Sequence, residues 1–192
     1  MHPSHAYWFG VLTMPRAWVH KGESLRQAFA LVAEGSEVER TLDFDVHEQA
    51  LMLAGMACEA LLKALAVSRP VVREAVMNTE SFHAPATLLG KDFFTHDLPR
   101  LARLADVALS PSQSEHARTL TEFIVWRGRY MMPKEGSIRE LLPRLGPDGL
   151  HTQPHASMTI DDARSLLESI VIVVRARIFP ELTVEAGRPA SA

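Results

Sequence analysis

The segment that most constrains the fold is DVHEQALMLAGMACEALLKALAVSRP, residues 45–70. Its apolar residues recur at spacings of three and four, which is typical of a helix face buried in a protein core. The residues predicted to face inward are Val46, Ala50, Leu53, Ala54, Ala57, Leu61, Ala64 and Leu65. Pro70 is expected to end this helix, because the residue before a proline is pushed out of the α region. A long buried helix needs other helices packed around it.

Helical patterns recur in four further segments, and strand patterns are nearly absent. These segments are a weaker helix over residues 23–33, one over HDLPRLARLADVALS, one from SQSEHARTL to Gly128, and one over TIDDARSLLESIVIVVRARIF. The inward-facing residues of HDLPRLARLADVALS are predicted to be Leu98, Leu101, Leu104, Ala105 and Val107. The sequence therefore predicts an all-α fold, an antiparallel bundle of four or five helices.

Helix starts can be predicted where a short polar residue precedes a helical pattern. Ser112 and Glu115 have the spacing of a capping box. Thr159 is predicted to be the N-cap of the last helix, and Pro180 to close that helix.

The 192 residues are enough for one core, and a single helical domain is predicted over residues 23–182. Residues 1–22 are predicted to form an N-terminal arm. An irregular loop is expected near residues 133–157, which are rich in Pro, Gly and His, and a disordered tail is expected over 183–192.

The net charge and the cysteine content limit the possible cellular compartment and the possible partners. A net charge of −3 argues against a surface covered with phosphate-binding charge, although it leaves room for a local basic patch. The single cysteine, Cys58, excludes an intrachain disulfide and is predicted to be a buried core thiol. The N-terminus has no signal-peptide pattern, and the apolar run SIVIVV is too short to cross a bilayer. A cytoplasmic protein with no membrane partner is predicted.

The first group of candidate site residues lies in TEFIVWRGRYMMPK, residues 121–134. Trp126, Arg127, Arg129 and Tyr130 combine aromatic rings with guanidinium groups, which can stack on bases and clamp phosphates. A structural interpretation competes with this one, because cations at the end of a helix are favoured by the helix dipole. Arg129 would then reach back to a carboxylate such as Glu59.

The second group is Glu59, Lys63, His96 and Asp97. Glu59 and Lys63 are spaced for a helical ion pair, so they could form a solvated pair, a polar lock between helices with His96 or Arg129, or part of a site. Asp97 is placed to cap a helix. His96 could act as an acid or base beside a carboxylate, because histidine titrates near neutral pH, or it could simply pack.

The order of three motifs resembles that of the HEPN superfamily. They are EALLK, which contains Glu59 and Lys63, then HDL at 96–98, and a helix ending in GRY at 128–130. The resemblance covers roughly residues 45–178. It implies a small antiparallel helical bundle, often dimeric and associated with RNA, that needs no cofactor. Many members are metal-independent ribonucleases of toxin–antitoxin and phage-defence systems, so RNA, a second copy of the chain or a partner protein are the expected partners.

The chain departs from the family at the catalytic motif, in which an Arg precedes a His by four to six intervening residues. Arg144 with His151 and Arg40 with His47 have the spacing but not the expected position. If the chain cleaves RNA, the resemblance favours Arg129 or Arg127 as the group that stabilises the phosphorane and His96 as the proton-transfer group.

Trp126, Tyr130, Glu59, Lys63 and Asp97 would then contact the substrate. The alternative is a catalytically inert HEPN-like module that mediates dimerisation or protein–protein interaction. No metal site is predicted, because His151 and His155 have no nearby carboxylate or thiol ligand in the sequence.

Overall fold

A computed structural model of the chain describes residues 10–38, 43–78, 87–127 and 158–181. Its principal helices are α1 (Pro15–Val38), α2 (Asp43–Ser68), α3 (Pro70–Met77), α4 (Leu88–Phe93), α5 (Leu98–Leu104), α6 (Pro111–Glu122) and α7 (Ile160–Ile178). Helix α6 continues directly into a π-helical turn, Phe123–Arg127. The described residues contain no strand, so the predicted all-α class is confirmed. The loop predicted at 133–157 and the tail predicted at 183–192 lie outside the described residues.

Helix α2 is the centre of the structure. It packs against α1, α3, α5, α6, α7 and the π turn, with its longest contact along α1. The predicted inward face is buried at Ala50, Ala54, Ala57, Leu61, Ala64 and Leu65. Val46, in the first turn, is exposed, which corrects the prediction at that position. The segment Val46–Ser68 has the length and the apolar composition that a membrane-spanning helix needs. However, 78% of its most apolar 18-residue window is buried inside the protein, which is consistent with a soluble protein.

Two glycines allow neighbouring helices to approach α2 closely. A Cβ atom at Gly22 of α1 would lie 2.7 Å from Leu61 Cγ, and one at Gly55 of α2 would lie 2.8 Å from Ile124 Cγ1. Both distances are shorter than a carbon–carbon contact permits. These small residues therefore set the positions of α1 and of the π turn over α2.

The helix bounds differ from the sequence-based expectations in several places. The helix predicted over 23–33 is much longer, Pro15–Val38, so residues 15–22 of the predicted arm belong to α1. Pro70 does follow the end of α2, but it also starts α3, where a proline at the first helical position is favourable. Helices α3 and α4 were not predicted. The last helix ends at Ile178, two residues before Pro180.

Capping boxes start two of the helices. In α6 the box is formed by Ser110 and Gln113, two residues earlier than the predicted pair Ser112 and Glu115. In α7 the N-cap is Thr159, as predicted, and Asp162 completes the box. Hydrogen bonds from the Thr159 backbone N–H and then from its hydroxyl lower the pKa of Asp162.

The end of α5 is held by side chains from two other helices. Arg69, which follows α2, donates to the Leu104 carbonyl, and Arg177 of α7 donates to the carbonyls of Ala105 and Asp106 at 3.1 and 2.9 Å. Because these carbonyls have no partner within α5, the two guanidinium groups satisfy them and tie α2, α5 and α7 together.

Candidate functional site

Glu59, Lys63 and His96 come together at one place in the structure. Lys63 Nζ donates to Glu59 Oε1 at 2.7 Å, and His96 Nδ1 lies 2.9 Å from Glu59 Oε2. The side chains of Lys63 and Glu59 are only 7% and 13% exposed, whereas that of His96 is 53% exposed. Of the alternatives left open by the sequence, the solvated ion pair is wrong. The three residues form a polar connection between α2 and the segment that precedes α5.

The buried Lys63 ammonium also faces two aromatic rings. It lies 5.3 Å from the ring centroid of Trp18 on α1 and 5.6 Å from that of Phe93 on α4. The two rings meet edge to face, with their centroids 5.8 Å apart, and Trp18 Nε1 donates to the Leu12 carbonyl at 2.8 Å. A buried cation needs such partners, because an unpaired charge away from water is costly.

The hydrogen bond to Glu59 fixes the tautomer of His96. The Glu59 carboxylate, as the ion-pair partner of Lys63, offers only acceptor oxygens, so His96 Nδ1 is the donor. In the neutral imidazole, Nε2 then carries the lone pair and can take up a proton. A half-exposed histidine with a fixed Nδ1–H is suited to general acid–base chemistry.

A cleft of about 100 Å³ lies beside this group. Its walls come from α1, α2, the segment before α5 and the π turn. The lining residues are Trp18, Lys21, Leu25, Met56, Glu59, Ala60, His96 and Ile124. The volume is below the range of roughly 300–1,000 Å³ that is usual for small-molecule pockets. Only a small chemical group fits inside.

Lys21 is the lysine that lines the cleft. Its side chain is exposed at the edge, and it makes no ion pair with another residue in the described parts of the chain. Trp18, Lys21 and Leu25 are spaced by three and four residues on α1, which places all three on the helix face turned to the cleft.

Asp97 has a structural role that explains its position. It is the N-cap of α5, where its Oδ1 accepts from the Arg100 backbone N–H at 2.9 Å. The next residue, Leu98, donates its backbone N–H to Thr121 Oγ1 of α6 at 3.0 Å. These bonds fix the segment that carries His96.

The basic candidates at the end of α6 are only partly described. Trp126 and Arg127 belong by their backbone to the π turn, whose Ile124 lines the cleft, but their side chains lie outside the description. Arg129 and Tyr130 lie outside the described residues altogether. The same holds for Arg40, Arg144, His151 and His155. His47 is described, and its Nε2 lies 3.3 Å from the Met158 carbonyl.

Three residues of the site were not found from the sequence: Trp18, Lys21 and Phe93. Trp18 and Lys21 lay in the predicted N-terminal arm, for which no helix was predicted, so neither residue could be assigned to a helix face. Extending the helix back to Pro15 would have put them on the same face as Leu25. Phe93 lies on α4, a helix of six residues that carries too little periodicity to be recognised.

Comparison with known protein families, curated proteins and solved structures finds no match to this chain. In the described ranges, no three His, Cys, Asp or Glu side chains are grouped as a metal site would require. The chemistry that bears on function is therefore that of Glu59, Lys63, His96 and the adjoining cleft.

Proposed function

We propose that the chain is a cytoplasmic, HEPN-like helical bundle that acts on RNA in a toxin–antitoxin or phage-defence setting, as a metal-independent ribonuclease. The observation that carries this proposal is the bond between His96 Nδ1 and the largely buried Glu59 carboxylate, 2.9 Å long, at the wall of an accessible cleft. A histidine in this arrangement has one nitrogen fixed and the other available for proton transfer.

The reaction needs one proton acceptor and one phosphorus centre. His96 Nε2 removes the proton from a ribose 2′-hydroxyl, and the 2′-oxygen attacks the adjacent phosphorus. The bond from phosphorus to the 5′-oxygen breaks, and that oxygen takes a proton from water. The protonated His96 then gives its proton to the hydroxide so formed, which restores the base. The products are a 2′,3′-cyclic phosphate and a 5′-hydroxyl end. Arg127, the last residue of the π turn, or Arg129, two residues later in the sequence, is the proposed group that stabilises charge on the phosphorane.

The test compares two histidines that each lie beside a carboxylate. His96→Asn retains a donor in the place of Nδ1 but cannot accept the proton. His116→Asn is the matched control, because His116 Nε2 lies 3.9 Å from Asp162 Oδ1 and lines no part of the cleft. Labelled RNA is incubated with each purified protein in EDTA, after circular dichroism has shown that both variants are folded.

We expect wild-type protein and His116→Asn to cleave RNA equally and His96→Asn to be slower by about 100-fold or more. Cleavage that is equal in all three proteins assigns the activity to another group or to a contaminant. Absence of cleavage in the wild type rejects the ribonuclease proposal.

The second candidate is a catalytically inert HEPN-like module that acts through dimerisation or a partner protein. The mutual pairing of Glu59 and Lys63 favours it, because these buried charges already have partners inside the protein. Sedimentation over a range of concentrations tests self-association. A stable dimer that does not cleave RNA supports this candidate through dimerisation. A monomer that does not cleave RNA excludes dimerisation, so that the inert module would have to act through a partner protein.

A further inference from the structure

We infer that the cleft is a binding site for a single phosphate group, held by Lys21 from α1 and by His96 from the segment before α5. This inference deepens the proposed function, on which it rests for the choice of RNA as the source of the phosphate. It adds a ligand-binding residue, Lys21, that lies outside the three motifs resembling the HEPN superfamily.

The charges of the cleft lining, taken together with that of Lys63, which is bonded to Glu59, leave a positive excess. Glu59 lines the cleft and is paired with Lys63, which is not a lining residue, so the charges of these two residues compensate. The remaining ionisable lining groups are Lys21 and His96, and Lys21 has no carboxylate partner among the described residues. An anion that enters the cleft therefore meets one uncompensated ammonium and one imidazole, and meets no uncompensated carboxylate.

The rest of the lining increases the strength of that attraction. Leu25, Met56, Ala60 and Ile124 are apolar, and Ala60 and Ile124 are almost fully buried. Charges interact more strongly beside such a low-dielectric wall than in bulk water. A lysine supplies a point charge with three donors, a form in which lysine commonly binds phosphate.

The volume limits what the anion can be. About 100 Å³ can hold a phosphate group, but it is below the usual size of a pocket for a nucleoside. The base and sugar of any nucleotide must therefore lie outside the cleft, on the side where His96 is half-exposed. Both inorganic phosphate and the phosphoryl end of an RNA present the same chemistry to Lys21 and His96.

The test uses inorganic phosphate as the probe and NMR signals of the His96 ring as the readout, at constant ionic strength set with chloride. The variant is Lys21→Gln, which removes the charge and retains most of the side-chain length. Lys91→Gln is the matched control, because Lys91 is an exposed lysine on α4 that does not line the cleft.

We expect saturable shifts of the His96 signals in the wild type and in Lys91→Gln, and binding that is about tenfold weaker in Lys21→Gln. A dissociation constant that is the same in all three proteins overturns the assignment of Lys21. Shifts that never saturate, or that are absent, overturn the site itself.

A second titration distinguishes the two sources of phosphate. A dinucleotide with a 5′-phosphate is compared with the same dinucleotide that ends in a 5′-hydroxyl. Tighter binding of the phosphorylated form, lost in Lys21→Gln, supports an RNA phosphoryl end as the ligand. Equal binding of both forms that is lost in Lys21→Gln supports the internal phosphodiester as the ligand. Binding of both forms that is unchanged in Lys21→Gln, or no binding of either form, overturns the RNA source. Phosphate binding without RNA cleavage supports the phosphate site and rejects the ribonuclease proposal. RNA cleavage without phosphate binding supports the ribonuclease proposal and rejects the phosphate site.

Discussion

The Lys63 ammonium lies 2.7 Å from the Glu59 carboxylate in a part of α2 that is almost closed to water. We expect Lys63→Met to lower the free energy of unfolding by about 3 kcal/mol, because it leaves Glu59 largely buried with only His96 as a partner. Urea denaturation followed by circular dichroism measures the change.

The control for this prediction is the double variant Glu59→Met/Lys63→Met. Removing both charges leaves no unpaired buried ion, and His96 is exposed enough to be hydrated, so the double variant should be more stable than Lys63→Met alone. A Lys63→Met protein as stable as the wild type would show that Glu59 is solvated in the folded state.

A second prediction concerns the tautomer of His96 and uses Glu59→Gln. Lys63 is only a donor, so the carbonyl oxygen of the glutamine amide must turn towards Lys63 and its NH₂ towards His96 Nδ1. His96 Nδ1 then has to accept, and the proton moves to Nε2, which can no longer act as the base. We expect RNA cleavage to fall by about 100-fold or more while the fold is retained.

The measurement pairs the cleavage rate with ¹⁵N chemical shifts of the His96 ring, which distinguish the two tautomers directly. Asp162→Asn, beside His116, is the matched control and should leave both readouts unchanged. If Glu59→Gln moved the proton to Nε2 without slowing cleavage, His96 would not be the base.

A third prediction compares two glycines of the same helix. Gly22 faces Leu61, and an added Cβ would lie 2.7 Å from two Leu61 side-chain atoms, whereas Gly35 has no atom within 4 Å of that position. We expect Gly22→Ala to destabilise the protein by about 1–3 kcal/mol through overpacking. Gly35→Ala should stabilise it by up to about 1 kcal/mol, because alanine is the better helix former. Thermal unfolding of both variants checks the pair. Stabilisation of both would mean that α1 and α2 can move apart without cost.

The central helix and its buried face could be predicted well from the sequence. Apolar residues recur at helical spacing over many turns, so one position that departs from the pattern does not change the prediction. Ala50, Ala54, Ala57, Leu61 and Leu65 are all buried, and the one exposed member, Val46, lies in the first turn. The start of α1 was missed, because residues 15–22 mix polar and aromatic side chains without a clear apolar period. Packing against α2 stabilises that part of the helix, and a sequence pattern contains no such information.

The site could be predicted in part for the same reason. Glu59 and Lys63 were found as a pair from their spacing, and His96 was a stated candidate partner of the pair. The roles of Trp18 and Phe93 depend on contacts between α1, α2 and α4, which are distant in the sequence. The size of the cleft depends on how closely Gly22 and Gly55 allow the helices to approach, which no local pattern reveals.

A fourth prediction concerns Cys58, which is fully buried in α2. Burial raises the pKa of its thiol from an ordinary value of 9.0 to about 12, because the thiolate loses its hydration. We expect no alkylation by iodoacetamide at pH 8 in the native protein and complete alkylation in urea, as measured by mass spectrometry. Rapid labelling of the native protein would show that α2 opens readily.

The same shift predicts how stability depends on pH. Since the folded-state pKa is raised, the contribution of Cys58 is fully present below pH 9.0 and is lost as pH rises towards 12. The free energy of unfolding should fall by roughly 1.4 kcal/mol per pH unit in that window from this group alone. Cys58→Ala removes this part of the dependence, so the difference between the two pH profiles isolates it. Parallel profiles would contradict the prediction.

The fifth prediction concerns the end of α5, where Asp106 has a φ angle of 57°. Its N–H donates to the Arg103 carbonyl at 3.1 Å, and the Val107 N–H donates to the Ala102 carbonyl at 2.9 Å, the hydrogen-bond pattern of a Schellman motif. Glycine is the residue that adopts this left-handed conformation without a steric cost, and aspartate tolerates it better than most residues.

We therefore expect Asp106→Gly to be more stable than the wild type by about 1 kcal/mol and Asp106→Ala to be less stable, as measured by urea denaturation. The Asp106 carbonyl that accepts from Arg177 is retained in both variants, so the bond between α5 and α7 does not distinguish them. An alanine variant as stable as the glycine variant would show that backbone conformation at this position does not limit stability. The order Gly, Asp, Ala would instead show that α5 ends where the backbone can turn, with Arg69 and Arg177 holding the turn in place.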